Sequence, residues 1–151
     1  MAAWRAILNV HARVVGRVER ELRIAGLPPL PWYDVLWTLR GAPGQRLRMG
    51  ELAESVTLSR GGLTKLVDRI EAGGFLRREA CSEDARGYDA VLTAEGRALL
   101  RRMWPVYGRV LREALAHALD EEEAVVIAEA LRRVGEPAPA GAGERSASSS
   151  S

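Results

Sequence analysis

The sequence predicts a mainly α-helical fold with one small β-hairpin. Three observations predict it. Apolar residues recur at spacings of three and four along most of the chain, which is the period of one helix face. Two short runs, Phe75–Cys81 and Tyr88–Leu92, flank the polar stretch Ser82–Gly87, the pattern of two strands and a turn. Glycine, proline and Ser/Thr/Asp residues fall where such elements should start and stop.

The elements follow in order. Trp4, Ile7, Leu8, His11, Val14, Val15, Val18 and Leu22 share one stripe of a first helix, which Gly26-Leu27-Pro28-Pro29-Leu30-Pro31 breaks. Trp32 to Arg40 is a second helix with Val35, Leu36 and Leu39 inward, and Gly41–Gly44 is a loop. Leu47-Arg48-Met49 is a candidate short strand against the hairpin. Met49 to Val56 has Leu52, Ala53 and Val56 on one helical face. Thr57 and Leu58 make a turn, and Ser59 is a good N-cap, because its hydroxyl accepts from a free backbone N–H of the next turn. Arg60 to Ala72 is an amphipathic helix with Leu63, Leu66, Val67 and Ile70 inward. Gly73-Gly74 ends it, since glycine adopts the left-handed C′ conformation cheaply.

After the hairpin, Thr93 caps a long helix that runs through Leu99, Met103, Val110, Leu115 and Leu119, with a kink expected at Pro105. Asp120, with Glu123 three residues on, caps a last helix whose stripe is Val126, Ile127, Ala130, Leu131 and Val134. The Pro/Ala/Gly/Ser-rich stretch from 136 to 151 is expected to be disordered. Helix, turn, helix, hairpin, helix is the order of a winged helix-turn-helix. The expected organisation is an N-terminal dimerisation helix and linker (1–30), a winged lobe (31–93), C-terminal dimerisation helices (94–135) and a tail (136–151).

The outward face of the helix from Arg60 carries Arg60, Gly61, Thr64, Lys65, Asp68 and Arg69. Such short polar and cationic side chains suit a helix that enters a major groove, where Arg, Lys and Thr reach base edges or phosphates. Gly61 and Gly62 each cost about 1 kcal/mol of helix propensity. They let the helix N-terminus approach a sugar-phosphate backbone closely, or Gly62 only relieves crowding against the preceding helix.

Charge adds little. The net charge is +2, and between Arg40 and Tyr88 nine basic residues face seven acidic ones, so placement rather than bulk charge carries the case. No Ser/His/Asp set, phosphate loop or dinucleotide glycine pattern points to an enzyme or a cofactor. His11 and His117 stand apart from any Cys or carboxylate cluster, so no metal site is expected. Cys81 is the only cysteine and reads as a small apolar strand residue. No membrane-spanning run or signal peptide is visible, and a cytoplasmic location is expected.

Four motifs, Leu66-Val67-Asp68-Arg69-Ile70-Glu71, Gly74-Phe75-Leu76-Arg77-Arg78, Asp84-Ala85-Arg86 and Leu92-Thr93-Ala94-Glu95-Gly96, stand in the order found in the MarR family of transcriptional regulators, which the chain resembles up to about Val134. The resemblance implies a homodimer on a pseudo-palindromic double-stranded DNA operator. Arg86 would lie in the minor groove and Asp84 would hold the wing turn. With Ser59, Arg60, Gly61, Thr64, Lys65, Arg69 and Arg78, these make the candidate DNA-binding set. Ala85 stands where many members carry arginine, which removes one phosphate contact.

The resemblance also implies that the termini interlock as a dimer, with Trp4, Ile7, Leu8, Leu115, Leu119, Ile127 and Leu131 at the interface. It implies a repressor released by a small aromatic or phenolic effector. The candidate ligand set is His11, Arg17, Trp32, Tyr33 and Trp37, with Arg13 as a further anion partner. A winged-helix interaction module without sequence-specific DNA binding is the alternative, favoured by the near-neutral groove face and by Ala85.

Overall fold

The computed structural model describes residues 1–56, 60–80, 87–116 and 118–135. They form two units, Met1–Ala114 and Leu115–Ser151, each taken by itself below.

The first unit begins with α1 (Ala2–Ile24). Its stop is a Schellman motif. Gly26 sits at φ 66°, its N–H donates to Arg23 O over 3.1 Å, and Leu27 N–H donates to Leu22 O over 2.9 Å. The second helix, α2 (Leu30–Gly41), starts two residues earlier than the proline-rich break suggested. Pro31 falls in its first turn, where its missing N–H would have had no helical partner. A single 3-10 turn, Pro43–Gln45, leads into β1 (Arg46–Arg48). The strand is thus one residue earlier than expected, and Met49 opens α3 (Met49–Ser55) instead.

Next come α4 (Arg60–Ala72), β2 (Leu76–Ala80), β3 (Tyr88–Leu92) and α5 (Ala94–Leu115). The three strands form one antiparallel sheet in the order β1-β3-β2. Leu47 pairs with Ala90, and Arg78 pairs with Ala90 from the other side. Phe75, expected in the strand, lies just before it. Pro105 lies inside α5, and the helix continues to Leu115. Leu119, expected on the same helix, lies beyond its end, where backbone N–H groups of Ala118 and Leu119 close onto Leu115 O.

The core explains why these elements hold. α2 packs against α1, α3, α4 and β3. Its Val35, Leu36 and Leu39 are fully buried together with Val18, Leu22, Leu52, Val67, Ile70 and Met103. Each such aliphatic side chain contributes about 1.5–3 kcal/mol relative to exposure. Burial along α1 changes partway. Val18 and Leu22 are in the core, whereas Trp4, Ile7 and Leu8 of the same stripe are exposed.

The second unit contains α6 (Glu121–Gly135). The expected capping box is present: Glu123 N–H donates to Asp120 Oδ1 over 2.8 Å and Asp120 N–H donates to Glu123 Oε2 over 3.0 Å. Acidic residues in the first turn and Arg132 and Arg133 in the last complement the helix dipole. Val126, Ile127, Leu131 and Val134 are exposed. The expected tail, the Ser59 cap, the wing tip with Asp84 and Arg86, Cys81 and His117 all lie outside the described residues. No helix among the described residues is long and apolar enough to cross a membrane.

Candidate nucleic-acid interface

Two chain reversals place α4 beside the sheet. At its C-terminus Gly74 sits at φ 78°, its N–H donates to Glu71 O over 2.8 Å, and Phe75 N–H donates to Ile70 O over 3.1 Å. This is again a Schellman motif, and it turns the chain directly into β2. The second reversal is at the start of α5. Thr93 Oγ1 accepts from Gly96 N–H over 3.0 Å and donates to Gly74 O over 2.8 Å. One hydroxyl thus caps α5 and pins the end of α4. Gly96 is needed there, because a Cβ would come within 2.1 Å of Phe75 O.

A third tie comes from Arg78 on β2. Its Nη2 donates to Asp68 Oδ1 over 2.6 Å and its Nη1 donates to Glu71 Oε2 over 2.5 Å, while its backbone N–H donates to Glu71 Oε1 over 2.7 Å. Burial disfavours the charged guanidinium, but Asp68 and Glu71 outweigh it and hold Arg78 above its ordinary value. Arg78 is one of the expected DNA contacts. The structure instead commits its guanidinium to fixing the wing against α4.

The exposed face of α4 carries Gly61, Thr64, Lys65, Asp68 and Arg69, as the apolar spacing required. The backbone of Arg60 belongs to the same helix. Among the described residues, Lys65 and Arg69 have no carboxylate partner, and Asp68 between them is occupied by Arg78. A Cβ on Gly61 would meet nothing within 4 Å. Crowding inside the chain therefore does not explain this glycine.

The outer face of the sheet is different. Arg46 Nε donates to Asp89 Oδ2 and its Nη2 to Glu79 Oε2, each over 3.1 Å, and Arg77 Nε donates to Glu79 Oε1 over 2.7 Å. The bond from Arg77, reinforced by Arg46, holds the Glu79 carboxyl below its ordinary value. These arginines are largely neutralised where they stand.

The expected ligand residues do not converge. A crevice of about 510 Å³ lies between α1, α2 and the end of α3, and His11 and Trp37 line it. Trp32 does not. Its ring meets Phe75 edge-on at 5.8 Å, and its buried Nε1 has no hydrogen-bond partner. Tyr33 is 4% exposed and stacks on Trp37 and Trp104, with Tyr107 edge-on at 5.1 Å. Burial pushes the Tyr33 and Tyr107 hydroxyls above their ordinary values. Arg17 is paired with Glu113, and a parallel tie joins Arg109 to Glu21 over 3.1 Å, so both link α1 to α5. Glu19, Asp34 and Thr38 line the crevice and were not in the candidate set. For two of them the signal is helical phase: Asp34 lies three residues before Trp37 and four before Thr38, spacings that make neighbours on a helix surface. Among the described residues, no group of three or more His, Cys, Asp or Glu could hold a metal ion.

An exposed helix braced by a returning hairpin, with a third strand closing the sheet, defines a winged helix-turn-helix protein. Comparison with known proteins narrows this. The MarR family model matches residues 25–87. The MarR family transcriptional regulator Sco3205 from Streptomyces coelicolor, solved in complex with DNA, has a TM-score of 0.81 and 33% identity, covering 91% of this chain and 88% of that one. The HTH-type transcriptional regulator MhqR of Bacillus subtilis is 32% identical over 127 residues, 84% of this chain and 85% of that protein. An uncharacterised HTH-type transcriptional regulator of Bacillus cereus is 31% identical over 102 residues, which span 66% of its length. The chain belongs to the MarR family, a family of transcriptional regulators and not of enzymes.

Proposed function

We propose that this protein is a cytoplasmic repressor that binds a pseudo-palindromic operator as a homodimer and is released by a small-molecule effector. The observation that carries DNA binding is the exposed α4 face, where Lys65 and Arg69 stand one helical turn apart without carboxylate partners among the described residues, on a helix braced by Arg78 and Thr93. The solved complex of Sco3205 with DNA supports the same use of this fold.

Dimerisation rests on the bare apolar residues Trp4, Ile7 and Leu8 of α1, Leu115 of α5, and Ile127 and Leu131 of α6. Leu119 is half-buried and Trp4 is 57% exposed. One short recognition helix gives too few contacts for tight binding, and two of them joined by a symmetric interface read half-sites about 34 Å apart. Arg86 at the wing tip is proposed to reach the minor groove and Asp84 to hold its turn, with Ser59 and Arg60 at the start of the recognition helix.

The test is a gel shift of the full chain against the DNA upstream of its own coding region at physiological salt. Sequence-selective binding that weakens in Lys65→Ala is expected. Absence of selective binding overturns the reading. It would favour a winged-helix interaction module, for which the neutralised Arg46, Arg77 and Arg78 are the supporting observation. A reporter driven by the bound DNA, which should rise when the protein is deleted, separates repressor from activator.

A further inference from the structure

The crevice beside α1 has an unusual polarity. Its apolar walls are Val15, Leu30, Pro31, Trp37 and Val56. Among the described residues no arginine or lysine lines it, and His11 is the one basic side chain that does. The two hydroxyls that line it among the described residues are already committed: Thr38 Oγ1 donates to Asp34 O and Ser55 Oγ donates to Glu51 O, both over 2.8 Å. An incoming anion therefore finds almost no donor. Arg17, the expected anion partner, is held by Glu113.

Two carboxylates do line the crevice, Glu19 and Asp34. Glu19 Oε1 accepts from Leu30 N–H over 2.9 Å. The Asp34 carboxylate has no hydrogen bond or ion pair among the described residues. Burial, then the charge of Glu19, raise its pKa. Trp37 is 51% exposed, stacks on Tyr33 and has the Arg40 guanidinium 5.1 Å from its ring centroid, so the indole serves the crevice as apolar wall.

We propose that this crevice binds a cationic aromatic molecule, a quaternary or protonated nitrogen or phosphorus centre on an apolar body, as the effector of this regulator. The proposal rests on the reading of the chain as an effector-released DNA-binding protein and sets the charge of the effector. A cation there would neutralise two carboxylates that now repel each other, and its rings would cover Val15, Leu30 and Trp37. A volume of about 510 Å³ lies within the roughly 300–1,000 Å³ of small-molecule sites. A phenolate or carboxylate of the same size would meet Glu19 and Asp34 as like charges.

The experiment compares tetraphenylphosphonium with tetraphenylborate, ions of nearly the same shape and opposite charge. Each is titrated calorimetrically into the full-length chain without DNA. The phosphonium is expected to bind at least about tenfold more tightly than the borate, and Asp34→Asn to weaken it by about tenfold. Asp34→Glu should restore much of that loss. Equal or tighter binding of the borate, no phosphonium binding, or unchanged affinity in Asp34→Asn overturns the proposal. A gel shift without either ion separates the two readings. Operator binding without Asp34-dependent phosphonium binding sinks the cationic effector alone. Asp34-dependent phosphonium binding without operator binding sinks the regulator reading alone.

Discussion

Arg78 of β2 donates to Asp68 of α4 over 2.6 Å, so the strand that leaves α4 is bonded back to the middle of that helix. The same guanidinium reaches Glu71, one turn on. The wing is therefore set in angle by a charge-assisted clamp across ten residues of chain. Its side chain is 22% exposed, which limits screening by solvent.

Arg78→Ala is expected to lower stability by about 1–2 kcal/mol, because it removes two charge-assisted hydrogen bonds, while Glu71 keeps the backbone N–H of residue 78 and Asp68, 56% exposed, returns to water. Urea unfolding measures it. Operator affinity should fall while the salt dependence of binding keeps its slope, since no phosphate contact is lost. A slope reduced by about one unit would mean instead that Arg78 touches the DNA backbone.

Gly96 and Gly61 make opposite predictions. A Cβ at Gly96 would collide with Phe75 O, a backbone atom, so Gly96→Ala should cost about 1–3 kcal/mol or prevent folding. A Cβ at Gly61 meets open space, so Gly61→Ala should stabilise the helix by about 0.5–1 kcal/mol. If Gly61 serves close approach to DNA, the same variant binds operator less tightly. Thermal melts and gel shifts on both proteins check this.

The parts of this molecule legible in sequence are those set by near neighbours. The Gly73-Gly74 stop, the Thr93 cap and the Asp120–Glu123 box each depend on side chains within a few residues of one another. The Leu-Thr-x-x-Gly pattern could be read as a helix start, but not its cause, which is the carbonyl of Phe75 some twenty residues earlier. Arg78 looked like any wing cation until α4 supplied its partners. The expected ligand residues part on phase. Trp32 and Trp37 are five residues apart, about 140° around a helix, so they cannot line one crevice from the same face. The end of α5 was misplaced because Leu119 continues the apolar period although the hydrogen-bonded helix has stopped.

Asp34 gives a pH prediction. Its pKa is raised from 3.8 by burial and by Glu19. The unfolded chain ionises Asp34 at the ordinary value and the folded chain only at higher pH. The favourable contribution to stability is therefore full below 3.8 and is lost as pH rises through the raised value. Asp34→Asn should melt above the parent at pH 7, with the gap closing on acidification. The carboxyl is partly open to solvent, so the gap is small and its sign is the test.

Ile127→Glu tests the assembly. Ile127 is 41% exposed on α6, so the substitution buries no charge within its own unit. The protomer should keep its helical circular dichroism. If α6 forms the proposed symmetric interface, each dimer acquires two carboxylates in an apolar contact, which is strongly unfavourable without partners. Sedimentation should shift from dimer to monomer, and operator affinity should fall steeply because two linked recognition helices become one. A variant that remains dimeric and binds DNA as before would place the interface elsewhere and leave the bare α6 stripe without that role.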